Sequence, residues 1–205
     1  MHYLNFYKMK HTIKIPILLA AIFFSTLSSW SYSEESFIPK PPSLNASNYI
    51  LIDSVSGRVL AEKEADVRIE PASITKIMTG YVAADQISKG FVSLDDEVLI
   101  SENCWRKGGS KMFIREGTRV LLSDLMKGMV IQSGNDASCA IAEHVAISEE
   151  GFVELMQLYV KELGMENTQF INVTGWPDPE HFSSARDLAI LTKRLIDRFP
   201  DHYAL

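Results

Sequence analysis

The sequence predicts an α+β domain in which a short β-hairpin precedes a series of helices. Two β-prone runs near residue 50 are joined by a four-residue turn that contains a glycine, which is typical of a hairpin. After residue 73, apolar residues recur at helical spacing in five segments. With 46% hydrophobic and 22% charged residues, the chain has the composition of an ordinary globular protein.

The elements can be assigned in order from these patterns. The hairpin occupies 49–62, short strand or loop pieces occupy 98–101 and 112–114, and helices are predicted at 73–89, 123–130, 136–145, 152–163 and 184–199. Ser123 and Ser184 are predicted N-caps, Asp187 completes a capping box with Ser184, and Gly164 ends the fourth helix. Because a stable sheet usually needs three or more strands, these helices lack strands on which to pack.

Residues 1–33 have the features of a secretory signal peptide. Three lysines precede an apolar run at 15–27, no acidic residue occurs before Glu34, and small residues suit cleavage after Ser33. A buried helix or an uncleaved membrane anchor is the alternative, although a membrane span needs roughly 20 apolar residues. We therefore expect export to the periplasm or cell envelope, with a proline-rich linker at 34–47 before the domain.

Charge and residue spacing exclude several kinds of partner. The net charge is −6, and no basic stripe is available to neutralise the phosphates of a nucleic acid. The five histidines are scattered, and no H-x-x-x-H or C-x-x-C pair occurs, so we expect neither a metal ion nor a cofactor. The two cysteines, Cys104 and Cys139, could form one disulfide or none, and the sequence leaves both possibilities open.

Ser73 and Lys76 form an S-x-x-K motif at the predicted start of the first helix. Residues three apart share a helix face, so the Lys76 amine can reach the Ser73 hydroxyl. A serine nucleophile needs a base, and a lysine serves as one when desolvation lowers its pKa. The motif is expected about once by chance in a chain of this length, and Ser73 could also be a plain helix cap.

A second polar motif, Ser133-Gly134-Asn135, interrupts two helical patterns 60 residues after Ser73. The glycine permits a tight turn, so that Ser133 and Asn135 project the same way into a cleft. Ser133 could relay a proton between Lys76 and a leaving group, and Asn135 could hold a substrate amide. Taken alone, the same string could be a loop without chemistry.

Together, the two motifs resemble the signature of the penicillin-recognising serine enzymes, and the S-G-N form resembles the low-molecular-mass D-alanyl-D-alanine carboxypeptidases. Blocks at 70–79, 132–137 and 174–188 are similar to that subfamily. The resemblance covers about residues 48–203 and implies the β-lactamase/transpeptidase-like fold, a helical lobe against a five-stranded antiparallel sheet. It also implies removal of the terminal D-alanine from peptidoglycan pentapeptides through an acyl-enzyme on Ser73, with β-lactams as inhibitors.

The sequence also departs from the subfamily. Its third motif, K-[TS]-G, does not occur, and in the family this motif lies on a strand of the sheet. We therefore expect 48–205 to be an incomplete catalytic domain, with membrane association only through a C-terminal segment that the sequence does not contain. The alternatives are a serine β-lactamase, whose E-x-x-L-N string is also absent, and a non-catalytic truncated product.

Three further residues are given structural interpretations. His181 lies in one of the matching blocks, where it could brace a loop, but we expect it at the surface. Cys139 is expected to be a buried thiol rather than a nucleophile. Arg186 is expected to form a structural ion pair.

Overall fold

A computed structural model describes residues 42–205 and confirms the predicted α+β class. Its elements, in chain order, are β1 (Tyr49–Ile52), β2 (Val59–Lys63), α1 (Lys76–Ser88), β3 (Glu97–Leu99), α2 (Glu102–Trp105), β4 (Arg119–Leu121), α3 (Leu122–Gln132), α4 (Asn135–Ala146), α5 (Glu149–Leu163), α6 (Ala185–Arg198) and α7 (Pro200–Tyr203). Within this part of the chain, no helix is both long and apolar enough to cross a membrane. The predicted signal peptide and most of the predicted linker lie outside the described residues.

The four strands form two antiparallel pairs. In the first, β1 pairs with β2 and Tyr49 lies opposite Lys63, as the hairpin prediction requires. In the second, β3 pairs with β4; of the two predicted strand or loop pieces, 98–101 overlaps β3 and 112–114 is a loop. The backbone N–H groups of 112–114 donate to the carboxylate of Asp136, and this contact takes the place of a neighbouring strand.

Two apolar clusters hold the helices together. The first joins α1, α5 and α6 through buried residues that include Met78, Tyr81, Phe152, Met156 and Leu191. The second joins α3, α4 and the β3–β4 pair through residues that include Val98, Ile100, Leu125, Met129 and Ile141. The helix faces that were expected to lack strand partners are therefore buried largely against one another.

The structure confirms two of the predicted helix boundaries and contradicts a third. The Ser184 hydroxyl accepts the backbone N–H of Asp187 at the start of α6, and Gly164 ends α5 in the left-handed region, so both predictions are confirmed. The Ser123 cap is wrong, because α3 begins one residue earlier, at Leu122. Backbone carbonyls satisfy the first N–H groups of α3, since Leu122 donates to Asp96 and Ser123 to Leu94.

Arg186, at the start of α6, forms the predicted structural ion pair. Its guanidinium lies 2.5 Å from a carboxylate oxygen of Glu62 and 2.7 Å from one of Asp66. These contacts connect α6 to β2 and to the loop that follows β2. The Arg186 guanidinium therefore has a structural role in holding these elements together.

Candidate active site

Ser73 lies in a 3-10 turn, Ala72–Thr75, that immediately precedes α1. The periodicity predicted that the helix begins at Ser73, but the α-helix itself begins three residues later, at Lys76. Ala72 adopts a positive φ of 46°, which is uncommon for a residue with a side chain. The backbone is therefore constrained directly before the candidate nucleophile.

The Lys76 amine lies 3.3 Å from the Ser73 hydroxyl oxygen, which is the contact that the S-x-x-K spacing predicts. Lys76 is only 7% exposed, and its Nζ also donates to the carbonyl of Thr174 at 2.8 Å. Burial lowers the pKa of Lys76 from 10.5 to about 8. Ser73, in contrast, is exposed, so a substrate can reach its hydroxyl. The pair has the geometry and electrostatics of a nucleophile and its base.

The loop at 172–176 supplies a contact to Lys76 that the sequence motifs do not reveal. The side-chain oxygen of Asn172 accepts the backbone N–H groups of Thr174, Gly175 and Trp176, which fixes the loop as a tight turn. The Thr174 carbonyl is thereby held against the Lys76 amine. Because this contact uses a main-chain atom, no side-chain pattern could have predicted it.

Gly175 allows this loop to approach the Ser73 turn closely. Its φ is +83°, and a Cβ atom at this position would overlap the carbonyl group of Ala72. Only glycine suits both the backbone conformation and the short distance. The loop and the 3-10 turn are therefore packed backbone against backbone.

His181 is buried, at 2% exposure, so its predicted surface position is wrong. Its Nε2 lies 2.8 Å from the Thr75 hydroxyl, and its Nδ1 accepts the backbone N–H of Ile171 at 3.0 Å. Burial lowers the pKa of His181, which favours the neutral ring. The prediction failed because Thr75 and the 171–182 loop meet only in the tertiary structure.

The second motif lies between α3, which ends at Gln132, and α4, which begins at Asn135, as predicted. The left-handed residue of this break is Ser133, at φ 53°, and not the glycine. Gly134 is extended, and a Cβ there would lie 3.2 Å from the Gly128 carbonyl oxygen, so its role is to allow close packing.

Ser133 shares a cavity of about 300 Å³ with Ser73 and Lys76. Its hydroxyl oxygen is buried and makes no hydrogen bond to any described residue. Buried polar atoms are rarely left without a partner, so this hydroxyl is available to a group that enters the cavity.

Asn135 lines a second groove, of about 490 Å³, together with residues that include Lys107 and Trp176. It is 8% exposed, and its side-chain Nδ2 donates to the carbonyl of Gly108 at 2.8 Å. Its backbone N–H donates to the carbonyl of Ser110 at 2.7 Å. The structure therefore brings three of the predicted site residues to one cavity and places Asn135 in a separate groove.

Cys104 and Cys139 form a disulfide, which corrects the prediction of a buried thiol at position 139. Together with Glu143, they form the group of described residues whose spacing could suit a metal ion. Sulfur atoms joined in a disulfide have no thiolate charge, so this group is not suited to hold one.

A sequence profile of the peptidase S11 family, described as D-alanyl-D-alanine carboxypeptidase, matches residues 35–205. The chain belongs to this family. It is 45% identical over 170 residues to the D-alanyl-D-alanine carboxypeptidase DacC of Escherichia coli, covering 80% of this chain and 42% of DacC. It is 41% identical over 193 residues to DacA of the same organism, covering 91% of this chain and 48% of DacA. The chain thus spans less than half the length of these two family members.

Solved structures of related proteins have the same fold. Penicillin binding protein 5 from Haemophilus influenzae is 40% identical, with a TM-score of 0.78 over 80% of this chain and 48% of that protein. The D-alanyl-D-alanine carboxypeptidase DacD from Francisella tularensis is 41% identical, with a TM-score of 0.79 over 80% of this chain and 40% of that protein. These similarities confirm the predicted α+β fold of the penicillin-binding protein type.

Proposed function

We propose that this chain carries the acylation site of a serine D-alanyl-D-alanine carboxypeptidase, with Ser73 as nucleophile and Lys76 as general base. The observation that carries the proposal is the 3.3 Å approach of the Lys76 amine to the Ser73 hydroxyl. Burial supports it by lowering the pKa of Lys76 to about 8, so that a useful fraction of neutral amine exists near neutral pH. Membership of the peptidase S11 family supports the substrate class, a peptide that ends in D-Ala-D-Ala.

In acylation, the neutral Lys76 amine removes the proton of Ser73 as the serine oxygen attacks the carbonyl carbon of the terminal amide. The tetrahedral intermediate collapses, the C–N bond breaks, and the proton passes to the nitrogen of the leaving D-alanine. Ser133 lines the same cavity and has an unpartnered hydroxyl, so we assign it the relay of this proton. The products of the step are free D-alanine and an ester on Ser73.

In deacylation, a water molecule attacks the ester carbonyl and gives its proton to Lys76. The ester bond breaks, the shortened peptide leaves as a carboxylic acid, and Ser73 regains its proton from the lysine. With a β-lactam, the same attack by Ser73 opens the ring. The leaving nitrogen then stays attached to the acyl group, so the ester persists and the β-lactam acts as an inhibitor.

Peptidoglycan is assembled outside the cytoplasm, so export forms part of the proposal. The signal peptide predicted at 1–33 would direct the chain to the periplasm or cell envelope. N-terminal sequencing of the secreted protein should begin at Glu34 or within a few residues of it. A mature protein that retains the basic residues before position 15 would contradict this.

The acylation site can be tested with a fluorescent penicillin and a peptide ending in D-Ala-D-Ala. In a domain that also contains the strand with the family's K-T-G motif, we expect a covalent adduct on the peptide that contains Ser73, release of D-alanine from the substrate, and loss of both in Ser73→Ala. Ser54→Ala, at an exposed turn, is the matched control and should behave as the parent. An adduct on another serine would contradict the assignment, and rapid penicillin hydrolysis without D-alanine release would indicate a β-lactamase.

A further inference from the structure

The Cys104–Cys139 disulfide joins the short helix α2 to the second turn of α4. Both cysteines are fully buried, and their Cα atoms lie 5.2 Å apart. Cys139 follows Asn135 by four residues, so the two side chains share one face of α4. That face contacts the same preceding segment twice, since Cys139 is bonded to Cys104 and Asn135 donates to the carbonyl of Gly108.

A third contact extends this pattern by one more turn of α4. Glu143 follows Cys139 by four residues, and its Oε1 accepts a hydrogen bond from the side chain of Asn103 at 2.9 Å. The segment at 103–110 therefore lies along one face of α4 and is held at three successive turns. Of these three contacts, only the disulfide is covalent.

The segment begins within the short helix α2, and its C-terminal half, which follows the helix, relies more on these anchors. It contains two adjacent glycines, Gly108 and Gly109, which lose more backbone freedom on ordering than other residues. The carboxylate of Asp136 accepts the backbone N–H groups of 112–114 and so anchors the chain just beyond the segment's C-terminal end. The disulfide anchors the other end, and between them Lys107 pairs with Glu149 at 2.5 Å.

The carbonyl groups of this segment determine how Asn135 is oriented. The Gly108 carbonyl accepts Nδ2 of Asn135, and the Ser110 carbonyl accepts its backbone N–H. With Nδ2 used in this way, Oδ1 is left without a donor among the described residues, and Asn135 lines the 490 Å³ groove. Oδ1 is then the acceptor that this side chain offers to a substrate N–H group.

We propose that the Cys104–Cys139 disulfide is a positioning element for Asn135. It anchors the 103–110 segment near its N-terminal end, so that the Gly108 and Ser110 carbonyls hold the Asn135 side chain with its Oδ1 free to accept a substrate N–H group in the 490 Å³ groove. This inference rests on the proposed function and adds to it a support for substrate binding. Because both sulfur atoms are buried, the disulfide is a fixed support and not a switch that responds to external thiols.

The test removes the disulfide and follows Asn135 by two readouts. In the full chain with Cys104→Ala and Cys139→Ala, hydrogen exchange at the Asn135 amide should become at least about tenfold faster. Acylation by a fluorescent penicillin should become about tenfold slower, as expected when a binding group is misplaced. The control is Met156→Ala, which removes a buried side chain from the first apolar cluster and lowers stability without contacting the segment. At temperatures where this control stays folded, neither readout should change.

A second experiment, in the Asn135→Ala variant, tests whether the disulfide acts through Asn135. In Asn135→Ala, removing the two cysteines should cause no further loss of acylation, since residues that act as a unit are not additive. Additive losses, or an unchanged exchange rate at Asn135 in the variant without the disulfide, would overturn the inference. If the parent protein is not acylated by penicillin, the proposed function fails, whereas the exchange comparison still decides the positioning claim.

Discussion

Thr75 and His181 are joined by a 2.8 Å hydrogen bond between side chains that lie 106 residues apart in the sequence. The backbone N–H of Ile171 donates to Nδ1 of the ring, so Nε2 carries the proton and donates to the Thr75 hydroxyl. Thr75 stands between Ser73 and Lys76 in the chain. The ring therefore braces the turn that carries the proposed nucleophile and its base.

This contact predicts that acid destabilises the fold through His181. Burial lowers the pKa of the folded His181 below 6.5, and the Asp178 carboxylate opposes this shift with a smaller effect. The unfolded chain then binds more protons than the folded one as the pH falls. His181 therefore contributes its full stabilisation above about pH 6.5, which is the pKa of a histidine in the unfolded chain, and contributes less below that pH.

The measurement is the free energy of unfolding by urea at pH 7.5 and at pH 5.0. The comparison variant is His181→Gln, whose amide can accept from Ile171 and donate to Thr75 without titrating. We expect the parent to lose more stability than the variant between the two pH values. The same loss in both proteins would show that His181 is not responsible.

Acylation should depend on pH through Lys76. Since burial lowers the pKa of Lys76 to about 8, the penicillin acylation rate should fall about tenfold per pH unit below that value. Lys76→Arg should abolish acylation and leave the fold intact, because arginine keeps the charge but does not deprotonate. Lys161→Arg, at an exposed position of α5, is the matched control. Near-normal acylation of Lys76→Arg would leave Lys76 only an electrostatic role.

Ser133→Ala should separate activity from stability. The Ser133 hydroxyl makes no hydrogen bond to the described residues, so its loss should change the free energy of unfolding by less than about 0.5 kcal/mol. Acylation should slow by about 10²–10⁴, the usual contribution of a proton-transfer group. Ser138→Ala provides the opposite case, because the Ser138 hydroxyl donates to the Gly134 carbonyl at 2.9 Å and its loss should cost about 1 kcal/mol. If Ser133→Ala acylates at the parental rate, the relay assignment is wrong.

Gly175→Ala should disturb the contact between the 172–176 loop and the Ser73 turn. A methyl group there would overlap the Ala72 carbonyl, so the loop must move and take the Thr174 carbonyl away from Lys76. Gly164→Ala is the matched control, because Gly164 has a similar φ of +70° but open space around its Cβ position.

For the control, we expect only the cost of a left-handed alanine, about 1 kcal/mol, with no change in acylation. Gly175→Ala should cost more than this in the free energy of unfolding and should also slow acylation. Thermal melting and penicillin acylation, measured on both variants, make the comparison. Equal effects of the two substitutions would show that the close packing at Gly175 is unimportant.

Local signals made part of the fold predictable. The cap at Ser184 and the apolar spacing of α6 act within a few residues of each other, and the structure agrees with both. The predicted capping box is not closed, because the Asp187 carboxylate accepts from the Asn167 N–H and the Thr168 hydroxyl instead.

At 112–114 the sequence left a strand and a loop open, because the partner of these N–H groups, Asp136, lies on a helix that comes later in the chain. Ser123 was assigned as a cap because the acceptors that replace it, the carbonyls of Leu94 and Asp96, reach the start of α3 only in the tertiary structure.

The residues of the candidate site also divide into those that local sequence predicts and those that it does not. Ser73 and Lys76 could be paired from sequence because a three-residue spacing fixes their distance in a helical turn. The Thr174 carbonyl and the His181 ring reach that turn only through the long loop before α6, so no local pattern reports them. The sequence did not decide whether Cys104 and Cys139 form a disulfide, because the bond depends on how α2 packs against α4.

The bond between Cys104 and Cys139 also closes a covalent ring, which contains Ser133 and Asn135 but not Ser73. Arg106 and Arg115 lie exposed within this ring, where a trypsin-like protease can reach them. A single cut after either arginine would leave the two pieces covalently joined. A nicked chain would run as one band on a non-reducing gel and separate only after reduction, because the disulfide keeps both motifs on one molecule.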